Sequence, residues 1–232
     1  MSAAPLDGPR IPAAAGRTSQ LVVFLHGYGA NGDDLIELGR QWRGLMPEAA
    51  FVSPHAPDRA PGAPMGRQWF PLSARSPDDN AGGGERWTGA VNARGAIDAF
   101  LDAELTRLGL DDSKLALVGF SQGSMMALHV GLRRARAPAA ILGFSGLLVG
   151  PEHLSEATAR DARGAAPPVL LIHGDQDPMI PFDAMFMAAE ALAGASIPTQ
   201  WHLSAGIGHG IDAEGLRQGG LFLAKAFASR KR

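Results

Sequence analysis

The sequence predicts an α/β protein, a mainly parallel sheet with helices on both faces. Two observations carry this. Short apolar runs alternate with helix-spaced segments along the chain, the pattern of strands joined by crossover helices. The runs, such as Leu21 to Leu25 and Val169 to Ile172, are apolar throughout rather than alternating, as strands covered on both faces must be.

Each element has a local reason. Residues 1–18, rich in Ala, Pro and Gly, are expected to be loose, with a short edge strand near Arg10 to Ala13; residues 19–232 then form one domain. After the strand Leu21 to Leu25 comes a helix carrying Leu35, Leu38 and Trp42, capped by Asn31 or Asp33. Phe51 to Ser53 is a short strand that stops at Pro54. Residues 54–88 are the one long irregular stretch, holding Gly82 to Gly84 beside Asp78 and Asp79; such loops are functional or disordered. A helix marked by Ile97, Leu101, Leu105 and Leu108 is entered near Thr88 and ended by Gly109. Ala139 to Gly143 and Thr199 to Leu203 are further strands. Residues 150–166 are a polar connection. Helices run through Phe186 to Leu192 and through Leu216, Leu223 and Phe227. Arg230 to Arg232 read as a solvated tail.

The most informative stretch is Leu115 to Gly123. A buried-strand run, Leu115 to Val118, leads straight into Gly119-Phe120-Ser121-Gln122-Gly123, and Met125, Leu128 and Leu132 follow at helical spacing. The serine therefore sits on a sharp strand-to-helix turn, the nucleophile elbow of the α/β-hydrolase fold. The turn strains the backbone at Ser121 and demands small residues two before and two after, which Gly119 and Gly123 supply. Gly143-Phe144-Ser145-Gly146 also follows an apolar run, but Leu147 breaks the pattern, so Ser145 reads as structural.

Composition bounds the chemistry. The chain has 232 residues, net charge −2, 46% apolar and 19% charged residues, and no cysteine. That length suits one domain with a substantial core. The charge gives no footprint for nucleic acid. Without cysteine there is no disulfide, thiolate catalysis or cysteine metal site. No metal or cofactor is expected. The N-terminus lacks the pattern of a signal peptide, and no apolar run approaches membrane-spanning length. The expected location is cytoplasmic, and a homodimer stays open.

In a parallel sheet, reacting groups gather beyond the carboxyl ends of the strands. Ser121, Asp177 and His209 each follow a strand at that end, in the chain order of an α/β-hydrolase triad. Ser121 is the expected nucleophile. Of seven histidines, only His209 lies in a glycine-rich loop after the final strand, which makes it the expected base. His26 and His173 precede glycines at strand ends and fit bonds to neighbouring loops. Asp175 and Asp177 share one loop; Asp177 is favoured as the acid and Asp175 fits a turn former. The oxyanion donors are expected to be the backbone N–H groups of Gln122 and Tyr28, the latter in His26-Gly27-Tyr28-Gly29. Trp69, Phe70 and Leu72, in the long irregular stretch, either anchor into the core or line a substrate cleft, to which Met179 and Ile180 would add apolar wall.

Together, Phe24-Leu25-His26-Gly27-Tyr28-Gly29, Gln68-Trp69-Phe70, the Ser121 elbow, His173-Gly174-Asp175-Gln176-Asp177-Pro178-Met179-Ile180-Pro181 and Gly208-His209 resemble the serine carboxylesterase/phospholipase family of α/β hydrolases, which includes acyl-protein thioesterases. Tyr28-Gly29-Ala30-Asn31-Gly32 is more similar to the bacterial carboxylesterase branch. The resemblance implies a catalytic acid at the second aspartate, Asp177, and oxyanion donors at Tyr28 and Gln122. It also implies a small-molecule ester as substrate, and the short, partly roofed apolar cleft expected from Trp69, Phe70, Leu72, Met179 and Ile180 would take short to medium acyl chains. Lysophospholipid and thioester hydrolysis, and a non-catalytic binding protein on the same fold, are the alternatives.

Overall fold

The computed structural model describes residues 5–72 and 84–229. Gly82, Gly83, Asp78, Asp79 and the tail Arg230 to Arg232 lie outside the described residues. In chain order the elements are β1 (Arg10–Ile11), β2 (Gln20–Leu25), α1 (Gly32–Trp42), β3 (Ala49–Val52), β4 (Asp58–Arg59), β5 (Arg67–Gln68), α2 (Glu85–Leu108), β6 (Leu115–Phe120), α3 (Gln122–Gly131), β7 (Ala140–Phe144), β8 (Val169–Gly174), α4 (Asp183–Gly194), β9 (Thr199–Ser204) and α5 (Ala213–Ser229).

Seven strands form one sheet in the order β1-β3-β2-β6-β7-β8-β9. All neighbours are parallel except β1, which runs antiparallel to β3. Strand residues divide between two cores by the two-residue period of a pleated strand. Leu21, Val23, Leu115, Leu117 and Leu171 join one core with Ile97 and Leu101 of α2, Met125 of α3 and Leu192 of α4. Val22, Phe24, Val118, Leu142 and Ile172 join the other with Leu35 and Trp42 of α1 and Leu223 and Phe227 of α5. Cover on both faces is the physical reason these strands are continuously apolar.

The topology positions the site. From β2 the chain goes to β3 on one side; it then returns to β6 on the other side of β2 and continues outward through β7, β8 and β9. Strand order therefore reverses between β2 and β6, and the loops after those two strands open a crevice at the sheet's carboxyl edge. The register Leu25↔Gly119 sets the end of β2 beside the elbow.

Three local expectations change. Residues 7–15 are not loose: beyond the β1 pairing, Ser53 N–H bonds Pro9 O at 3.1 Å, His55 N–H bonds Asp7 O at 2.8 Å and Ala15 N–H bonds Pro47 O at 2.8 Å. The stretch 54–88 contains a small antiparallel pair, β4 with β5. Helix α2 begins at Glu85 rather than near Thr88, after Gly84, which offers no side-chain cap for sequence reading to find; its end at Gly109 (φ 66°) is as expected. For α1, Asn31 is the cap, and it forms a capping box with Asp34.

Candidate active site

Ser121 occupies the turn between β6 and α3 with φ 53° and ψ −119°, a backbone conformation costly for any residue with a side chain. The turn is this tight because its neighbours have no room for a β-carbon. One added at Gly119 would drive into the carbonyl of Gly123, and one at Gly123 into the carbonyl of Leu25. On the β2 side, a β-carbon at Gly27 would lie 3.3 Å from Cβ of Ser121, so the Gly27-Tyr28 turn passes directly beside the serine. Among the described residues, the N–H groups of Tyr28 and Gln122 have no backbone acceptor. Gln122 opens α3, where N–H groups are unpaired and the helix dipole favours negative charge.

The His209 loop follows β9 and is pinned to its neighbours. Gly174, at the end of β8, packs so closely on Ile207 and Gly208 that a β-carbon would strike their carbonyls. The Ser145 hydroxyl donates to Gly210 O at 3.3 Å, and Ser145 itself is fully buried at the end of β7 with φ 46°. The His209 ring lies 5.0 Å from that of Phe120, the residue before the serine.

Asp177 and His209 meet. Nδ1 of His209 donates to Oδ2 of Asp177 at 2.7 Å, while Oδ1 accepts from Met179 N–H at 2.8 Å and Ile180 N–H at 3.0 Å. Burial pushes the Asp177 carboxyl up, but the Ile180, His209 and Met179 bonds outweigh it and hold the group below the usual carboxylate range. An ionised acid at Nδ1 leaves Nε2 of His209 as the free lone pair. The other aspartate of the loop is engaged elsewhere: Oδ1 of Asp175 accepts from Gly206 N–H at 2.7 Å and ties the β8 loop to the β9 loop.

Sequence reading missed two partners. His173, 1% exposed, donates from Nε2 to Ile180 O at 2.9 Å and also faces Oδ2 of Asp177 at 3.1 Å. Its four-residue spacing from Asp177 in one loop is the only signal that could have suggested this. The Gln122 side chain is fully buried; Oε1 accepts from Trp69 N–H at 2.9 Å and Nε2 donates to Phe70 O at 2.8 Å. No local pattern announces a contact across 53 residues.

Of the expected cleft residues, Trp69 and Phe70 are core anchors instead, each 2% exposed. Phe70 packs on Gly89, and the Trp69 indole lies beside the His26 ring at 5.2 Å. Leu72 and Ile180 are half-buried against the core, and Met179 is 71% exposed. Surface clefts of about 640 Å³ (near Leu154 and Arg160) and about 540 Å³ (near Arg136 and Arg163) include none of Ser121, Asp177 and His209. Among the described residues no group of three or more His, Asp or Glu could hold a metal ion, and no helix is long and apolar enough to cross a membrane.

Comparison with known proteins agrees with this architecture. The phospholipase/carboxylesterase family model matches residues 6–227. The crystal structure of esterase PE8 superposes with a TM-score of 0.88 at 42% identity, over 96% of this chain and 100% of that one. Acyl-protein thioesterase 1 of Gibberella zeae is 28% identical over 223 residues, covering 94% of each chain. Esterase YpfH of Escherichia coli K12 is 28% identical over 201 residues, covering 83% of this chain and 77% of its own. A match along nearly the whole chain, on a sheet whose order reverses beside a strained serine, places the protein in the phospholipase/carboxylesterase family of serine hydrolases, as a carboxylic ester hydrolase.

Proposed function

We propose that the protein hydrolyses carboxylic esters of short to medium acyl chain through an acyl-enzyme on Ser121. The observation that supports this most is the short Asp177–His209 bond at the sheet edge that also carries the strained Ser121 turn. In this reading Nε2 of His209 takes the Ser121 proton as Oγ attacks the ester carbon, and the tetrahedral oxyanion accepts hydrogen bonds from Tyr28 and Gln122 N–H. His209 then protonates the leaving alcohol. Water repeats the sequence in reverse and frees the acid. Asp177 keeps Nδ1 protonated and stabilises the imidazolium.

Leu72 and Ile180 supply the half-buried apolar surface of the acyl cleft in this proposal. Each buried methylene adds about 0.8 kcal/mol until the cleft is filled. With p-nitrophenyl esters graded in acyl length, kcat/KM should peak at roughly four to eight carbons and fall for long chains. A rise continuing through sixteen or more carbons would contradict the short cleft. The thioesterase name of one relative warrants a matched acyl-thioester arm in that panel. We further propose that the partner is a small ester rather than nucleic acid, that the enzyme works in the cytoplasm, and that a homodimer is one assembly to test.

A further inference from the structure

We propose that Trp69 is a positioning residue for the oxyanion site, holding the Tyr28 N–H in a fixed place relative to the Gln122 N–H through one continuous run of hydrogen bonds. The inference rests on the reading of those two N–H groups as the oxyanion donors.

The run begins at Gln122, whose side-chain Oε1 accepts from Trp69 N–H at 2.9 Å. The Trp69 indole then donates from Nε1 to His26 O at 2.8 Å. His26 carries the constraint forward. Its Nε2 accepts from Ala56 N–H at 3.0 Å, so the ring proton is on Nδ1, which donates to Gly27 O at 2.8 Å. The peptide joining Gly27 to Tyr28 is planar and trans, so its C=O and N–H point in opposite directions. Fixing Gly27 O therefore fixes the direction of Tyr28 N–H. Glycine at 27 does little to limit its own torsions, and the peptides on either side must be held from outside. Trp69 holds the first through His26 O; the His26 ring, joined by Ala30 N–H at 3.3 Å, holds the second through Gly27 O. His26 is fully buried, and burial drives its pKa down to about 4, so the neutral tautomer that this run needs persists at neutral pH.

Both ends of the brace meet the nucleophile. Gln122 follows Ser121 in the chain, and Gly27 lies against Cβ of Ser121. An oxyanion donor acts by being aimed, before reaction, at where charge develops. Loss of the indole N–H should therefore be felt in the transition state more than in the bound ester.

The test is Trp69→Phe, which keeps an aromatic ring in the core and deletes the N–H. With p-nitrophenyl butyrate, kcat should fall about 10- to 100-fold while KM stays within about threefold. Affinity for butane-1-boronic acid, which forms a tetrahedral adduct on a serine, should fall in parallel. Wild-type kcat within twofold in the folded variant would overturn the proposal, as would a loss of kcat with boronate affinity unchanged. Should Trp69→Phe lose its cooperative melting transition, the same measurements apply to the chain carrying a benzothiophene in place of the Trp69 indole, which swaps the N–H for sulfur and keeps the shape. A wild-type protein that neither turns over esters nor reacts with a fluorophosphonate would mark failure of the hydrolase reading itself, separate from any effect at Trp69.

Discussion

Replacing Asp177 by Asn separates the proposed acid from its neighbour Asp175. In the variant the amide oxygen can take the place of Oδ1 and accept from Met179 and Ile180 N–H, so the loop keeps its shape. The amide NH2 then faces Nδ1 of His209, where Oδ2 accepted at 2.7 Å. Two donors cannot share that contact. The ring must turn its Nδ1 lone pair to the amide and carry its proton on Nε2, the nitrogen that should accept from Ser121. A flip of the amide would relieve His173, whose Nε2–H lies 3.1 Å from the same position, but it would set the NH2 against two donors, Met179 N–H and Ile180 N–H, which oppose it. The wrong tautomer and the loss of a negative charge beside the imidazolium should together cost about 10⁴ in kcat, or about 5 kcal/mol. Asp175→Asn keeps an oxygen for Gly206 N–H and should stay within about threefold of wild type. Steady-state kinetics on p-nitrophenyl butyrate, with melting curves as fold controls, decide this. An Asp177→Asn enzyme retaining more than about 1% of wild-type kcat, or an Asp175→Asn enzyme losing more than it does, would refute the assignment.

Further outcomes follow from buried polar groups. Gln122→Ala removes both partners of the Trp69 N–H and Phe70 C=O bonds and should cost about 2–4 kcal/mol of stability in urea unfolding; under about 1 kcal/mol would mean the clamp contributes little. His26 and His129 are held neutral by burial, with pKa values down to about 4 and about 3, below the usual histidine value. As pH falls below about 6.5 the unfolded chain gains a proton at each that the folded chain refuses, so stability present at pH 7 should drop by about 2 kcal/mol per histidine by pH 5. Unfolding free energies unchanged between pH 7 and pH 5 would contradict this. Arg134 is buried between Asp98, Asp102 and Asp112 at 2.9, 2.6 and 2.7 Å, and Arg134→Met should destabilise by about 3–5 kcal/mol because it strands Asp112; a loss below about 1 kcal/mol would contradict that role.

What could be read from the sequence divides by range. The strands were legible because cover on both faces forces continuous apolar runs, as at Leu21 to Leu25. The Ser121 turn was legible because its positive φ leaves no room at positions 119 and 123, a demand written in adjacent residues. The pairing of Asp177 with His209 was inferable because parallel strands deliver their following loops to one edge. The environment of Trp69 and Phe70 was not. Two aromatics in a Pro- and Gly-rich stretch suit a cleft wall as well as a core anchor. What decides is a clamp from Gln122 and an acceptor at His26 O, both distant in sequence. The same holds for the anchoring of residues 7–15 along β3, which rests on backbone bonds that no side-chain pattern signals.

The central claim is that Ser121 is the nucleophile. A fluorophosphonate bearing a mass tag reports it most directly, because it bonds fastest to a serine oxygen activated by a neighbouring base. Intact mass and peptide mapping should find a single adduct per chain, on the peptide containing Ser121. That adduct should be absent from Ser121→Ala and suppressed by butane-1-boronic acid. An adduct on another residue such as Ser145, or ester turnover with no adduct on Ser121, would contradict the account.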